Sequence, residues 1–129
     1  MGGLVALALL AGCGLNVQAP DLFLLTRSGQ GQRLTLLVND SGTISCNGAR
    51  AKQLPDQLLL QARDLETSLD SDAKSKLRMN SGSQSVFSYT VKLQDGTISF
   101  PDTAGSARKE LAQAELFTLE AAQDVCGLT

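Results

Sequence analysis

Hydrophobic and polar positions alternate along this chain in two rhythms, one of period two and one near 3.6. Leu22-Phe23-Leu24-Leu25-Thr26 is apolar nearly throughout and reads as a central strand. Ser28-Gly29-Gln30-Gly31 turns by its glycine content. Leu34–Asn39 forms a second strand, and Asp40-Ser41-Gly42 turns it into a third, Thr43–Cys46, ended by Asn47-Gly48. The rhythm then changes. Pro55 suits a first helical position, where its missing N–H costs nothing. Leu58, Ala62, Leu65 and Leu69 follow at helical spacing and predict a helix to about Asp70, with Arg63, Asp64 and Glu66 off the stripe. Met79–Ser85 is a Ser- and Gly-rich loop. Phe87, Tyr89, Val91 and Leu93 then alternate with Val86, Ser88, Thr90 and Lys92, a half-buried strand with the aromatic set inward. Asp95-Gly96 predicts a type I′ hairpin turn returning as Thr97–Phe100. After a loop at Pro101–Gly105, Leu111, Ala114, Phe117, Ala121 and Val125 mark a second helix over Ala107–Cys126, with Gly127 as its C-terminal cap.

The predicted fold is α+β: an antiparallel sheet built from hairpins with two helices packed on one face, in the order β-β-β-α-β-β-α. The segments Asp40–Cys46 and Asp95–Phe100 echo one another, each leading from a hairpin into a helix. Asp-Gly-Thr-Ile is a common hairpin solution, and the echo is read that way rather than as a duplication.

The first residues break the pattern. Leu4–Leu10 is an uninterrupted apolar run that ends in Ala11-Gly12-Cys13. A short apolar region ending in small residues has the form of a secretory signal, and it falls short of the roughly 20 apolar residues that span a bilayer. With cysteine next, Leu10-Ala11-Gly12-Cys13 resembles the lipobox of bacterial lipoproteins. That resemblance implies cleavage after Gly12 and lipidation of Cys13. The expected organisation is a signal peptide over 1–12, a lipidated cysteine and tether over 13–20, and one α+β domain over 21–129. Met1-Gly2-Gly3 lacks the basic residues that open such signals, so the expected true start lies upstream. Gly14 is not the Asp that retains lipoproteins at an inner membrane. A diacylglyceryl group supplies two chains, enough for stable anchoring, since one chain holds only reversibly. The expected location is the extracytoplasmic face of the cell membrane.

Composition narrows the chemistry. The formal net charge is −2 with both signs interspersed, so nucleic acid is not an expected partner. Lys74, Lys76 and Arg78 form a basic cluster where cations complement a helix C-terminus. The chain has no histidine, which removes Ser–His and Cys–His nucleophiles and the usual zinc sites. Asp70-Ser71-Asp72 opens like a calcium loop, but Ala73, Lys74 and Ser75 do not continue it, and no metal or other cofactor is expected. Asp56, Asp64, Asp70, Asp72, Asp95 and Asp102 are the candidates for a catalytic carboxylate pair, all at turn or exposed helix positions where structural roles are usual. Asn39-Asp40-Ser41 matches a glycosylation sequon that a bacterial lipoprotein does not normally use.

Of the three cysteines, Cys13 goes to lipid, and Cys46 and Cys126 remain as a pair suited to a disulfide in an oxidising compartment. Such a bond closes a loop of about 80 residues, worth up to roughly 4.5 kcal/mol by chain entropy.

Two wider resemblances add to this reading. Asp21–Thr26, Leu34–Cys46, Leu54-Pro55-Asp56 and Val125-Cys126-Gly127 resemble small secreted lipoproteins of actinobacteria, which implies no catalytic residues. Phe87–Phe100 with its following helix is similar, more loosely, to emfourin-type inhibitors of thermolysin-like metalloproteases. The expected function is that of a non-enzymatic binding or accessory module in the cell envelope, partnered by the membrane through its lipid and by an envelope protein. A protease inhibitor with Asn80–Ser85 as an exposed rigid loop is the first alternative, and a small carboxylate-dependent hydrolase the second.

Overall fold

In the computed structural model the strands pair into one antiparallel sheet of order β4-β3-β2-β1-β5-β6. The structure describes residues 17–18 and 20–128, so the expected signal peptide and Cys13 lie outside the described residues, as does most of the tether. The strands are β1 (Asp21–Gly29), β2 (Gln32–Asn39), β3 (Thr43–Cys46), β4 (Lys52–Gln53), β5 (Ser88–Leu93) and β6 (Gly96–Pro101). The helices are α1 (Asp56–Lys74) and α2 (Lys109–Asp124), the latter preceded by a 3₁₀ segment at Asp102–Ser106. The α+β class and the helix-covered antiparallel sheet are as the sequence pattern predicts, with one strand more than the five expected, the two-residue β4 on the edge beside β3.

Strand pairing explains the near-continuous apolar run of β1. Leu25 sits opposite Leu36 on one side and Val91 on the other, all under the helices. Leu24 points to the opposite face, between Leu37 and Lys92, and is 5% exposed although it stands outside the main core. On that face Leu24 is flanked by its cross-strand neighbours Leu37 and Lys92, pairs that interact across adjacent strands. Thr26, Thr35 and Thr90 fill the next row of that open face. On the covered face Phe23 meets Phe117 of α2 edge-on with ring centroids 5.7 Å apart, and Tyr89 stacks on Phe100 at 5.2 Å. Leu58, Ala62, Leu65 and Leu69 of α1 and Leu111, Ala114, Phe117 and Ala121 of α2 are buried, as their spacing predicts.

Three boundaries differ from the sequence reading. The β5–β6 turn is made by Gln94 and Asp95, because Leu93 pairs with Gly96. Neither turn residue has positive φ, so the turn is not type I′; Gly96 instead opens β6. Its hydrogen-for-side-chain substitution serves a close approach: a Cβ there would lie 2.0 Å from the Ala73 carbonyl oxygen of α1. Helix α1 runs a turn beyond Asp70. It closes with Lys76 at φ 56, whose N–H returns to Ala73 O (3.0 Å), while Leu77 N–H returns to Asp72 O (2.9 Å). This is a Schellman closure with lysine where glycine is usual, so no glycine advertised it. The predicted loop at Pro101–Gly105 is largely the 3₁₀ segment, and α2 is shorter at both ends than predicted. Gly127 does take the left-handed conformation, φ 69, with Leu128 N–H bonded to Ala122 O at 2.8 Å.

Candidate functional site

Cys46 and Cys126 are bonded, with Cα atoms 5.9 Å apart and a sequence separation of 80. Cys46 ends β3, and Cys126 lies just past α2. The bond therefore ties the last turn of the helical layer to the sheet. Lys52 of the edge strand β4 adds a second tie by donating from Nζ to Val125 O at 3.2 Å. Asn47, next to Cys46, and Leu128, two residues past Cys126, become walls of a surface cleft.

That cleft has a volume of about 410 Å³ and is lined also by Arg27, Gln32, Arg33, Leu34 and Phe87. The β1–β2 hairpin supplies one side. Its turn residues Gln30 and Gly31 have φ 53 and 73, the paired positive values of a type I′ turn. The turn brings Arg27 and Arg33 to the same end of the sheet. Arg27 pairs with Leu34 and Tyr89, on the helix-covered face, and its guanidinium lies over the Phe87 ring at 4.7 Å from the centroid. Asn47, at φ 54, accepts from Thr35 N–H through Oδ1 at 2.8 Å and donates its own N–H to Thr35 O at 2.7 Å. Neither arginine makes an ion pair among the described residues.

The carboxylates are arranged differently. Asp102 accepts from Val86 N–H (3.1 Å) and Phe87 N–H (3.0 Å), pinning the return of the 80–87 loop, and these bonds hold its pKa below the usual range despite some burial. Glu115 of α2 is pushed up to about 7, first by burial and then by the charge of Asp102. Asp72 is 7% exposed and ion-paired to Arg108 at 3.2 Å, with Glu110 on the same guanidinium at 3.7 Å. Burial, then the facing Glu110 carboxyl, pushes Asp72 up to about 6, while Glu110 is held low by Asp72. Asp70 and Asp95 also face one another at the surface, Asp70 being lowered and Asp95 raised by their mutual hydrogen bond. Paired carboxyls with divided pKa values resemble an acid–base couple. At Asp72 and Glu110, Arg108 joins the end of α1 to the start of α2, which is a structural task; the depression beside them is wide and shallow.

The other residues singled out from sequence are dispersed. Asp56 opens α1 and Asp64 lies on its exposed side. Lys74 is bound to Asp70 at 3.1 Å, Lys76 closes α1, and Arg78 bridges to Ser99, so the basic cluster is part of a helix end. Asn39 of the sequon donates to Asp21 (3.0 Å) and accepts from Ser41 N–H (2.8 Å), so its amide is committed to the hairpin. Sequence reading missed Arg27 and Arg33. The available signal was two arginines placed on either side of the Gly29-Gln30-Gly31 turn. No group of three or more His, Cys, Asp or Glu side chains able to hold a metal ion occurs among the described residues. No family model, curated protein or solved structure matches the chain.

Proposed function

We propose that this chain is a lipid-anchored, non-enzymatic binding or accessory module on the extracytoplasmic face of a bacterial cell membrane. The Cys46–Cys126 disulfide carries the reading. Such bonds persist in oxidising compartments, which supports maturation of the domain outside the cytosol. It also uses both cysteines of the domain and leaves Cys13 for lipid. The apolar run before Cys13 supplies the export signal, and the two acyl chains supply the anchor. In the described residues no helix is long and apolar enough to cross a membrane. Changing Cys13 to Ala in the chain expressed with its complete signal tests this. The expected outcome is a folded domain that leaves the membrane pellet; retention in the pellet after a carbonate wash overturns the reading.

One observation favours the inhibitor alternative as second. Asn80–Gln84 is exposed throughout, and its base is held by Asp102 and by a 3.2 Å contact between Ser81 and Ser88 hydroxyls. A supported, exposed loop is what a substrate-like inhibitor presents. Inhibition of a thermolysin-like protease that is abolished by excising residues 80–84 from the loop is the result that promotes this alternative above the first.

A further inference from the structure

We infer that the helix-free face of the sheet is a docking surface for the headgroups of an anionic phospholipid membrane. The inference rests on the lipid-anchor reading and says how the anchored domain lies on its membrane. Strand register collects three cations on that face. Lys92 lies opposite Leu24, and Arg33 opposite Ser28, four positions along β1. The segment after α1 makes a parallel bridge to β6, with Arg78 opposite Ser99, in the row of Thr90, Thr26 and Thr35. Its neighbours Leu77 and Met79 pack on the core, so Arg78 is turned to the open side. All three cations are exposed, and none makes an ion pair among the described residues. The six strands hold one acid, Asp21, at the corner of the face, and it accepts from the Asn39 amide at 3.0 Å. Between the cations the face bears hydroxyls, those of Thr26, Thr35, Thr90, Ser28, Ser88 and Ser99. The backbone positions of the three cations are separated by roughly 12–20 Å, taking about 4.8 Å between strands and 3.3 Å per residue. That spacing is too wide for one small anion and suits an extended array of phosphates. The exposed leucines Leu60, Leu116 and Leu119 are on the helices, and Leu24 on the open face is covered. Contact is therefore at headgroup level, by charge and hydroxyl hydrogen bonds, without insertion.

Two further observations select a membrane as the occupant. The helices on the other side of the sheet carry nine carboxyl groups against three cations. A chain of net charge −2 so divided meets an anionic surface sheet first. The chain also enters this face at its corner, where Pro20 O accepts from Asp40 N–H at 2.9 Å and Asp21 opens β1. From Cys13 to Pro20 the tether reaches at most about 25 Å. The anchor thus holds the face beside the bilayer at high effective concentration, where contacts weak by themselves suffice to orient it. The domain rests on its sheet and presents α1 and α2 outward to a partner.

The probes are vesicles of phosphatidylcholine alone and of phosphatidylcholine with an equal share of phosphatidylglycerol, mixed with the purified chain carrying Cys13→Ala. Co-sedimentation with the anionic vesicles at low salt, little with the neutral ones, and release as salt rises past about 0.15 M are expected. Each Lys or Arg near an anionic surface contributes roughly a fivefold gain in partitioning. Arg33→Gln, Arg78→Gln and Lys92→Gln combined should therefore lower it at least tenfold. Arg63→Gln, Lys74→Gln and Lys109→Gln combined remove the same charge from the helical layer and should leave partitioning nearly unchanged. Equal binding to both vesicles, equal loss from the two triple variants, or no binding to the anionic vesicles at low salt overturns the docking face. Capture by soluble polyphosphate that the anionic vesicles fail to compete assigns the face to a soluble polyanion and overturns the membrane as its occupant. The vesicle result is read without the anchor, and the pellet result of Cys13→Ala without the vesicles, so the failure of the face and the failure of the anchor are separable.

Discussion

Gly96 and Lys76 show how single residues of this chain meet backbone demands that composition conceals. A side chain at Gly96 would drive its Cβ to 2.0 Å from Ala73 O, and backbone cannot retreat as a flexible side chain can. Gly96→Val should therefore cost more than about 1 kcal/mol, as overpacking typically does, read as a lower urea midpoint at unchanged slope. An unchanged midpoint would show that α1 does not approach β6 so closely. Lys76 presents the opposite case, a β-carbon held at φ 56. Left-handed backbone costs an L-residue roughly 1–2 kcal/mol, while glycine's extra unfolded-state entropy costs about 0.5–1 kcal/mol. Lys76→Gly should thus stabilise the fold by a few tenths of a kcal/mol, read as a higher urea midpoint at unchanged slope; a lower midpoint would mean that the lysine side chain contributes more than its backbone strain.

The elements are joined by a small number of directed ties. The disulfide links sheet to helical layer, and Asp102 links the 80–87 loop to the start of the 3₁₀ segment. Replacing Cys46 and Cys126 together by Ala should lower the melting temperature by well over about 8 °C, from a loss of at least roughly 2 kcal/mol in a domain of this size. Peptide mapping without reductant checks the premise, since two alkylatable thiols in the secreted protein would contradict the bond. Asp102→Ala removes a charged acceptor from two N–H groups, bonds worth about 1.5–3 kcal/mol each in such settings before solvent replaces them. Faster hydrogen exchange confined to Val86, Phe87 and the adjoining loop is expected, with β1 and β2 amides unchanged.

Across the whole molecule, burial of carboxyls couples stability to pH. Glu115 and Asp72 are raised to about 7 and about 6, so the folded state binds their protons more tightly than the unfolded state. Their contribution is fully present below the ordinary carboxylate range and is lost as pH rises through 6 and 7. Glu110 and Asp102 are lowered and work in the opposite direction, but only in more acid solution. The melting temperature should accordingly be higher at about pH 5 than at about pH 8. Glu115→Gln should flatten that difference and raise the melting temperature on the alkaline side; a profile that rises with pH in both proteins would contradict the burial of these groups.

The sequence by itself determined five of the six strands, both helices, the fold class and the cysteine pair. Those features rest on local period and on counting: Leu58, Ala62, Leu65 and Leu69 can share a face only in a helix, and Phe87, Tyr89, Val91 and Leu93 only in a strand. Element ends were less legible. The last turn of α1 is closed by a lysine in a glycine's conformation, and the β5–β6 turn begins one residue before the Asp-Gly pair that announces it. The candidate site was not legible, because it belongs to no single element. Arg27 faces the cleft with Phe87, Asn47 and Leu128 since β1 pairs with β2 on one edge and β5 on the other, and the disulfide brings the C-terminal tail to the end of β3. Residues so far apart in the chain carry no shared periodicity. Only the order of strands in the sheet, with β2 on one edge of β1 and β5 on the other, decided that they would meet.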